Sequence, residues 1–453
     1  GIRDLVRSRG LGDVYKTQIL YFIFPLNKKY GLQISCSLYI LMIFLIPNGI
    51  ITLPGGISFN RTILSFYLLV VVIFKEKKLD LGISKYVFFY YISLLLVIFL
   101  TSDEVPISFQ LKTFIRSFVA DGVLLYVLYY TTIKHTNAYV FFSWTIIILI
   151  LITTIYGFFN ASFLGSNPYL KLFSFAPDQQ YEMEIEMGDS GRLFGRVTSI
   201  YLSPWYCGNF LTMSGIFLIF LYQKIRKRLW EIAFLGIIFF SFWIFVIISG
   251  NRSALAILII FYTIYMYSKI QLWKSVAISI TIIILFIFVI TPNVPFIETY
   301  IESLYSNSNK VTGSSVNGRI EQLFGCYEEW SNAPLFGHGY NWSSYYRFSH
   351  NGNQHPTMLG FESIIFIQVC NLGLYGCIMT YYMFYYLYNR INKKAKDAIY
   401  IMCGFLSYSL VTGIYGSYET FIVFYITSVQ LLASRNLKYQ SKKYVKKWIT
   451  KLK

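Results

Sequence analysis

The stretch AYVFFSWTIIILILITTIYGFF, residues 138–159, contains no Asp, Glu, Lys or Arg. A second run, WKSVAISITIIILFIFVIT at residues 273–291, is similar in length and composition. An α-helix needs about 20 apolar residues to cross about 30 Å of hydrocarbon, and both runs meet that requirement. The sequence therefore predicts helices that cross a membrane.

The composition of the whole chain supports this prediction. Hydrophobic residues make up 56% of the 453 residues, and charged residues only 13%. Soluble domains carry about 25% charged residues, so this chain has about half the usual supply for a surface in water. The net charge of +18 comes from short basic clusters between the apolar runs, which is typical of cytoplasmic loops. This distribution argues against binding to nucleic acid.

The apolar runs predict an all-α polytopic integral membrane protein with about 12 transmembrane helices. A further apolar stretch at about 357–369 is too short to cross alone, and we expect an interfacial or re-entrant helix there. The predicted spans are approximately residues 32–53, 59–74, 85–101, 110–131, 138–159, 199–222, 230–249, 253–268, 273–291, 370–389, 397–414 and 418–434.

Counting these spans places every cluster of Lys and Arg on one side, which the positive-inside rule makes cytoplasmic. Both termini are then cytoplasmic, and the acidic pair Asp103-Glu104 is extracytoplasmic. Two long extracytoplasmic loops are expected, and long loops in compact proteins are often functional. The predicted organisation is a non-native or disordered leader at 1–18, a membrane domain at 19–434 with loops at about 160–198 and 292–357, and a basic cytoplasmic tail at 435–453.

The sequence Ser249-Gly250-Asn251-Arg252 lies between two predicted spans and places Arg252 at an outer mouth. A guanidinium group binds pairs of phosphate oxygens bidentately, which suits a pyrophosphate at the membrane surface. The alternative is that Arg252 is an interfacial anchor, since arginine side chains reach the interface readily from helix ends.

The outer loop at 292–357 holds all of the histidines except His135. Clustered histidine and arginine side chains suit anion binding and proton transfer near neutral pH. The candidates are His338, Arg347, His350 and His355, and the alternative is that they are solvated loop residues. Their irregular spacing, without an HxxxH or HxH pair, predicts no metal, and nothing in the sequence indicates a cofactor.

Further candidates flank this loop. Arg319 lies within it, and Arg192 and Arg196 precede the sixth span on the same predicted side. With Arg252 these arginines could form a clamp for pyrophosphate, or they could offset the acidic residues at 182–186. Glu362 opens an apolar run, where a carboxylate is costly unless it is paired, although a favourable position at a helix N-terminus also explains it.

The ordered motifs resemble the O-antigen polymerase and O-antigen ligase superfamily of bacterial envelope proteins. The resemblance covers about residues 230–390. The matching pieces are Ser249-Gly250-Asn251-Arg252, Gly318-Arg319, Pro334-Leu335-Phe336-Gly337-His338-Gly339, Glu362-Ser363 and Asn371-Leu372-Gly373-Leu374-Tyr375-Gly376.

The resemblance implies an inverting, metal-independent glycosyl transfer on the outer face of the bacterial cytoplasmic membrane. The donor would be a polyprenyl-pyrophosphate-linked oligosaccharide, and the product an O-antigen or capsular polysaccharide. Arg252 and Arg319 would hold the pyrophosphate, and a loop histidine, His350 or His355, would assist the acceptor hydroxyl. We select His355 or Glu362 as the base. A chain-length regulator and a flippase are candidate partners, together with the lipid bilayer.

Two other functions stay open at this point. A ligase that passes finished glycan to a lipid or protein acceptor would share the donor chemistry. A flippase or other transporter of lipid-linked oligosaccharide would also have about twelve spans, but it would bind near the bilayer midplane, often at broken helices between repeats.

Overall fold

The structure is a computed structural model, and it describes residues 30–46, 52–53, 57–58, 62–75, 82, 84–101, 104–135, 138–162, 167–173, 197–201, 204–224, 229–269, 316–350, 355–358, 363–394 and 398–411. Nearly all of these residues are helical. The helices are α1 (Gly31–Leu45), α2 (Leu64–Lys75), α3 (Ser84–Leu100), α4 (Ile107–Ser117), α5 (Leu124–Lys134), α6 (Ala138–Ser162), α7 (Pro168–Phe173), α8 (Pro204–Lys224), α9 (Leu229–Ile248), α10 (Arg252–Lys269), α11 (Val316–Asn332), α12 (Trp342–Ser349), α13 (Ile364–Lys394) and α14 (Ala398–Val411).

One pair of very short strands interrupts this helical pattern. β1 (Thr52–Leu53) and β2 (Ile57–Ser58) pair antiparallel, with Thr52 opposite Ser58 and Leu53 opposite Ile57. The sequence between them is Pro54-Gly55-Gly56, whose residue types favour a tight turn. The predicted first span therefore ends early, because α1 stops at Leu45.

Four helices among the described residues are long and apolar enough to cross a membrane. They are Val140–Ala161, Pro204–Leu221, Leu229–Ile248 and Ile364–Asn389. Four shorter helices are also apolar: Gly31–Leu45, Leu64–Phe74, Ser84–Leu100 and Arg252–Tyr265. The predicted helical class is confirmed by this arrangement. The count of twelve spans stays a prediction, and the span at 273–291 lies outside the described residues.

The apolar helices form a bundle with a continuous buried core. The helix α8 is mostly buried and packs against α9, α10 and α14, whereas α9 turns most of its side chains outward. The outward residues of α9 include Ile237, Phe240 and Ile247, which are large and apolar. An apolar core together with an apolar exterior is the pattern expected of a protein whose solvent is lipid.

The predicted fourth span corresponds to a continuous run of three segments. The helix α4 passes into a π-helical segment at Phe118–Val123, and this segment passes into α5. The π segment packs against α2 and α3. Short π-helical segments inside α-helices often mark functional positions, and here the segment connects the end bearing Gln110 to the buried bundle.

The helix α13 differs from the sequence prediction. We expected a short re-entrant segment at about 357–369 followed by a separate span at about 370–389. The structure has two helical halves within Ile364–Lys394, which meet at a break at Gly373, where φ is 60° and ψ is −164°. The break thus lies a few residues after the predicted boundary between residues 369 and 370, and the re-entrant or interfacial character of the first half stays a prediction.

Candidate functional site

The break in α13 is filled by the segment Pro334–Gly339. The amide nitrogens of His338 and Gly339 donate to the carbonyl oxygens of Cys370 and Asn371, at 2.8 and 3.2 Å. On the other side of the break, two amides of α13 donate back to the segment. These are Leu374 N to Pro334 O at 2.9 Å and Tyr375 N to Leu335 O at 3.0 Å. The segment thus caps both halves of the broken helix, and the backbone groups freed by the break are satisfied.

Two glycines make this close insertion possible. Gly337 and Gly373 both have a positive φ, of 70° and 60°. A Cβ atom on Gly373 would lie 2.5 Å from the amide nitrogen of Gly337, and one on Gly337 would lie 2.6 Å from the carbonyl oxygen of Cys370. Both contacts are with backbone, which cannot move aside. Glycine is therefore required at both positions by conformation and by space.

The inserted segment places His338 between two carboxylates. Its Nδ1 atom lies 2.8 Å from both carboxylate oxygens of Glu104, which precedes α4. Its Nε2 atom lies 2.9 Å from the backbone oxygen of Glu329 and 3.4 Å from the Oε2 atom of the same residue. Every atom named here that faces the ring nitrogens is an acceptor, so each ring nitrogen that carries a hydrogen has a partner to which it can donate. The ring is buried and stacks on Trp342 at 4.7 Å.

Glu329 also contacts His355. The Oε1 atom of Glu329 lies 3.2 Å from Nε2 of His355, so one carboxylate connects two buried histidines. The opposite ring nitrogen, Nδ1 of His355, accepts long hydrogen bonds from the amides of Thr357 and Met358, at 3.4 and 3.3 Å. We call the residues Glu104, Glu329, His338 and His355 the histidine–glutamate cluster.

The environment of His355 keeps its imidazole neutral near pH 7. Burial lowers the pKa of His355 below its ordinary value of 6.5, and the carboxylate of Glu329 opposes only part of that effect. A neutral imidazole whose Nε2–H points at a carboxylate can accept a proton at Nδ1, and the carboxylate then stabilises the cation that forms. This is the arrangement of a general base with a positioning carboxylate.

The helix α12 lines the cluster with aromatic side chains. Trp342 and Tyr346 lie one turn apart, and their rings are 5.9 and 4.8 Å from the ring of His355. The helix is anchored at its start, because Asn371 accepts a hydrogen bond from the amide of Ser343 at 2.9 Å through its side-chain oxygen. The break in α13 therefore positions α12 as well as His338.

The other two candidates in this loop are on the outside. His350 directly follows α12, its ring stacks on Tyr346 at 4.0 Å, and its Nδ1 atom lies 2.9 Å from the carbonyl oxygen of Tyr346. Arg347 is exposed in the last turn of α12. Of the two histidines left open by the sequence, His355 is the one that contacts a carboxylate of the cluster, while His350 binds to its own helix.

The motif Ser249-Gly250-Asn251-Arg252 forms a turn between α9 and α10, and we call it the arginine turn. The carbonyl oxygen of Ser249 accepts a hydrogen bond from the amide of Val197 at 3.2 Å. The side chain of Asn251 donates to the carbonyl oxygen of Pro204 at 2.7 Å. The turn therefore connects the starts of α8 and α10 to the end of the predicted outer loop at 160–198.

The predicted arginine clamp is only partly described. Arg252 opens α10 and is half-buried, and Arg319 is half-buried in the first turn of α11. The helix α10 packs mainly against α8 and α14, whereas α11 packs against α13. The amide of Val197, near the end of the predicted outer loop, donates to the arginine turn. Arg192, Arg196 and Glu362 themselves lie outside the described residues.

Two carboxylates of the cluster were not among the predicted site residues. Glu104 is separated from His338 by 234 positions, and Glu329 lies on α11, before the Pro334–Gly339 segment. The sequence feature that could have identified Glu104 as a site residue is its position. It is a carboxylate at the end of a predicted span, on the same predicted side of the membrane as the histidines. The contact between Glu104 and His338 shows that these two segments share one side of the bundle. That this side faces outward stays a prediction.

Among the residues that the structure describes, no group of three or more His, Cys, Asp or Glu side chains is arranged to hold a metal ion. In the cluster, the oxygen atoms of Glu104 and Glu329 contact the histidine rings directly. For the chain as a whole, the prediction of a metal-independent site stays a prediction.

Comparison with known proteins assigns no family. A search with models of protein families finds none that matches the chain, and a search of curated proteins finds no significant relative. The case for a function therefore depends on the chemistry of the arginine turn and the histidine–glutamate cluster, each held in place by the helices described above.

Proposed function

We propose that this protein is a membrane glycosyltransferase that polymerises polyprenyl-pyrophosphate-linked oligosaccharide repeat units into an O-antigen or capsular polysaccharide. The reaction takes place at the outer face of a bacterial cytoplasmic membrane. The observation that carries the proposal is the buried, neutral His355 held by the carboxylate of Glu329. This pair lies in the loop predicted to be extracytoplasmic, next to a helix that is apolar enough to span a membrane.

In the proposed reaction, a hydroxyl oxygen of the acceptor sugar attacks the anomeric carbon of the donor. The bond between that carbon and the pyrophosphate oxygen breaks, and the configuration inverts. His355 takes the proton of the attacking hydroxyl at Nδ1, where the hydroxyl displaces the long hydrogen bonds from the amides of Thr357 and Met358. Glu329 is the positioning residue that stabilises the resulting imidazolium. Arg252 and Arg319 stabilise the negative charge that develops on the departing pyrophosphate.

The aromatic side chains near the base support a carbohydrate substrate. Trp342 and Tyr346 flank His355, and aromatic rings pack against the apolar faces of sugar rings. Arg347 on the same helix is exposed and can meet an anionic group of the substrate. These contacts fit a ligase as well as a polymerase, since the two enzymes share the donor chemistry.

One observation favours the transporter alternative, namely the broken helix α13. Discontinuous helices form the substrate sites of many transporters, where the free helix ends bind the substrate. Here the ends are occupied by the protein's own segment, because Pro334–Gly339 bonds to both halves of the break. The break therefore fits a role in positioning His338 and α12 better than a role in binding a transported substrate.

The direct experiment is incubation of the purified protein in lipid with lipid-linked repeat units, followed by separation of the products on a gel. A polymerase gives a ladder of sugar chains that differ by one repeat. A ligase gives no ladder, but it joins labelled glycan to an added lipid or protein acceptor. Loss of the protein in cells separates the same two functions, because single repeats remain attached without a polymerase, whereas long unattached chains accumulate without a ligase.

A variant with His355→Gln serves as the negative control in the same assay. If neither the ladder nor acceptor glycosylation forms with the unaltered protein, while lipid-linked repeats cross the membrane of sealed vesicles that contain it, the protein is a transporter and the proposal is wrong.

A further inference from the structure

The helix α11 has an exposed apolar stripe. It consists of Ile320, Leu323, Phe324 and Tyr327, which are 46%, 53%, 69% and 66% exposed. These positions follow the i, i+3, i+4, i+7 spacing of one helix face. In a loop surrounded by water, four large apolar side chains on one face would be costly to hydrate.

The opposite face of the helix packs against the protein. Gln322 and Cys326 are buried, and Glu329 belongs to the histidine–glutamate cluster. At about 100° per residue, these three positions lie roughly opposite the stripe. The exposed acidic residues Glu321 and Glu328 lie on one border between the two faces. The helix thus has an inner face for the site and an outer face that is apolar.

Contacts with α13 fix the position of α11 along that helix. The Sγ atom of Cys326 lies 3.9 Å from the carbonyl oxygen of Phe366 and 3.9 Å from the Sγ atom of Cys370. Both partners lie in the first two turns of the apolar segment Ile364–Asn389, within about 9 Å of its start along the helix. The helix α11 therefore lies beside the first two turns of a helix that is apolar enough to span a membrane, and its stripe faces away from that helix.

We infer that α11 is an interfacial helix whose exposed stripe, Ile320, Leu323, Phe324 and Tyr327, inserts into the outer leaflet of the bilayer. Interfacial helices bury an apolar face about 5–10 Å into the boundary between headgroups and acyl chains, which agrees with the position of Cys326 beside the first two turns of α13. Arg319 precedes Leu323 by one turn, from which a guanidinium reaches the headgroup phosphates. Glu329, on the inner face, is then held close to the level of the lipid phosphates.

This inference does not depend on glycosyl transfer, because it requires only that α13 crosses a membrane and that the predicted topology places the start of α13 on the outer side. It has a consequence for any substrate carried on a lipid, since the cluster would meet the headgroup without removing the lipid from the bilayer. A second copy of this chain is the competing occupant of the stripe. We favour lipid because α11 packs beside the first two turns of α13, where a helix that spans a membrane meets the headgroups.

The test uses the full-length protein reconstituted in vesicles of phosphatidylethanolamine and phosphatidylglycerol. The exposed Cys403 is first replaced by serine, and single cysteines are then introduced for spin labelling at Phe324 and, as the matched control on the same helix, at Glu328. Collision rates of each label are measured with oxygen, which concentrates in lipid, and with a water-soluble nickel chelate. No substrate is needed.

We expect oxygen collisions to dominate at Phe324→Cys and nickel collisions to dominate at Glu328→Cys, so that their ratio inverts between two positions one turn apart. Leu323→Cys and Tyr327→Cys should follow Phe324→Cys, which protects the test against failure of one variant to fold. Nickel collisions that dominate at all stripe positions would mean that the stripe faces water. Low rates with both reagents would mean that protein covers it. Either result overturns the inference.

Discussion

The arginine turn and the histidine–glutamate cluster are built in different ways. The turn is held by neutral hydrogen bonds to backbone carbonyl groups, and its own motif supplies the groups that bond, as with Asn251 to Pro204 at 2.7 Å. The cluster is held by contacts between glutamate and histidine side chains from three separate segments, and one of its contacts joins Glu104 to His338. The turn can present a fixed cation, whereas the cluster can hold and move a proton.

This difference gives the two regions different expected sensitivities. The four members of the cluster form a chain of contacts that runs from Glu104 through His338 and Glu329 to His355, and each contact is 3.4 Å or shorter. Replacing one member therefore changes the electrostatic environment of its neighbours. Replacing Arg252 removes one cation but leaves the backbone bonds of the turn in place.

In the cluster, His355→Gln removes the proposed base. We expect the rate of polymer formation to fall about 10²–10⁴-fold, the range for loss of general base catalysis. His350→Gln is the matched control in the same loop, since His350 contacts its own helix. Formation of polymer is measured with purified proteins at equal concentration. An equal loss in both variants would show that the contact with Glu329 has no special role.

In the arginine turn, Arg252→Ala removes a cation from the proposed pyrophosphate site. We expect the rate to fall about 10²–10³-fold, which is typical for loss of one group that stabilises charge in the transition state. Arg319→Ala should act in the same direction. Protein level and membrane insertion should stay normal, and Arg252→Lys should recover part of the activity. Normal polymer length in both alanine variants would contradict the clamp.

Glu329→Gln separates positioning from proton transfer. We expect about a 10- to 100-fold loss of rate, because a hydrogen bond to a charged group contributes about 1.5–3 kcal/mol. The carboxylate raises the pKa of His355, so its removal lowers this pKa further. Since the base acts when neutral, the acidic limb of the pH–rate profile should move to lower pH. Glu321→Gln, on the exposed side of α11, should leave the profile unchanged.

The lowered pKa of His355 also makes the free energy of unfolding depend on pH. The unfolded chain takes up a proton on His355 below about pH 6.5, while the folded protein resists protonation there until the pH falls further. The contribution of His355 to stability is therefore present above pH 6.5 and decreases as the pH falls toward the lowered value.

Gly373→Ala tests the insertion that supports the cluster. We expect a loss of stability of about 1–3 kcal/mol from the positive φ alone, with a further cost from the contact of the new Cβ atom with Gly337. Gly236→Ala is the control, because a Cβ atom there would meet nothing within 4 Å. Thermal unfolding of the protein in detergent compares the two. A variant as stable as the control would mean that the break does not need glycine.

Glu104→Gln should have the smallest effect. Glu104 is about half exposed. We expect the variant to lose about 1 kcal/mol of the free energy of unfolding, which is at the upper end for exposed ion pairs. Salt should reduce the difference between the variant and the unaltered protein, since it screens exposed charges. The measurement is thermal unfolding at low and high ionic strength, and a difference that is independent of salt would indicate a neutral hydrogen bond instead.

The helical class and the presence of apolar helices follow from the sequence alone. A long apolar run such as residues 138–159 has few alternatives to an α-helix, because backbone groups in lipid must form their hydrogen bonds within their own segment. The structure confirms α6 over Ala138–Ser162. The importance of the Pro334–Gly339 and Asn371–Gly376 motifs was also visible in the sequence, but only as two separate motifs.

Only the tertiary structure decided that these two motifs form one unit, in which a loop fills a broken helix. Local sequence predicts which residues tolerate unusual backbone angles, but not which distant carbonyl groups and amides meet there. The same reason explains why Glu104 and Glu329 were missed. A lone carboxylate at the end of a helix looks like any solvated charge until its partner is known, and the partner of Glu104 is brought to it by the packing of α11, α12 and α13.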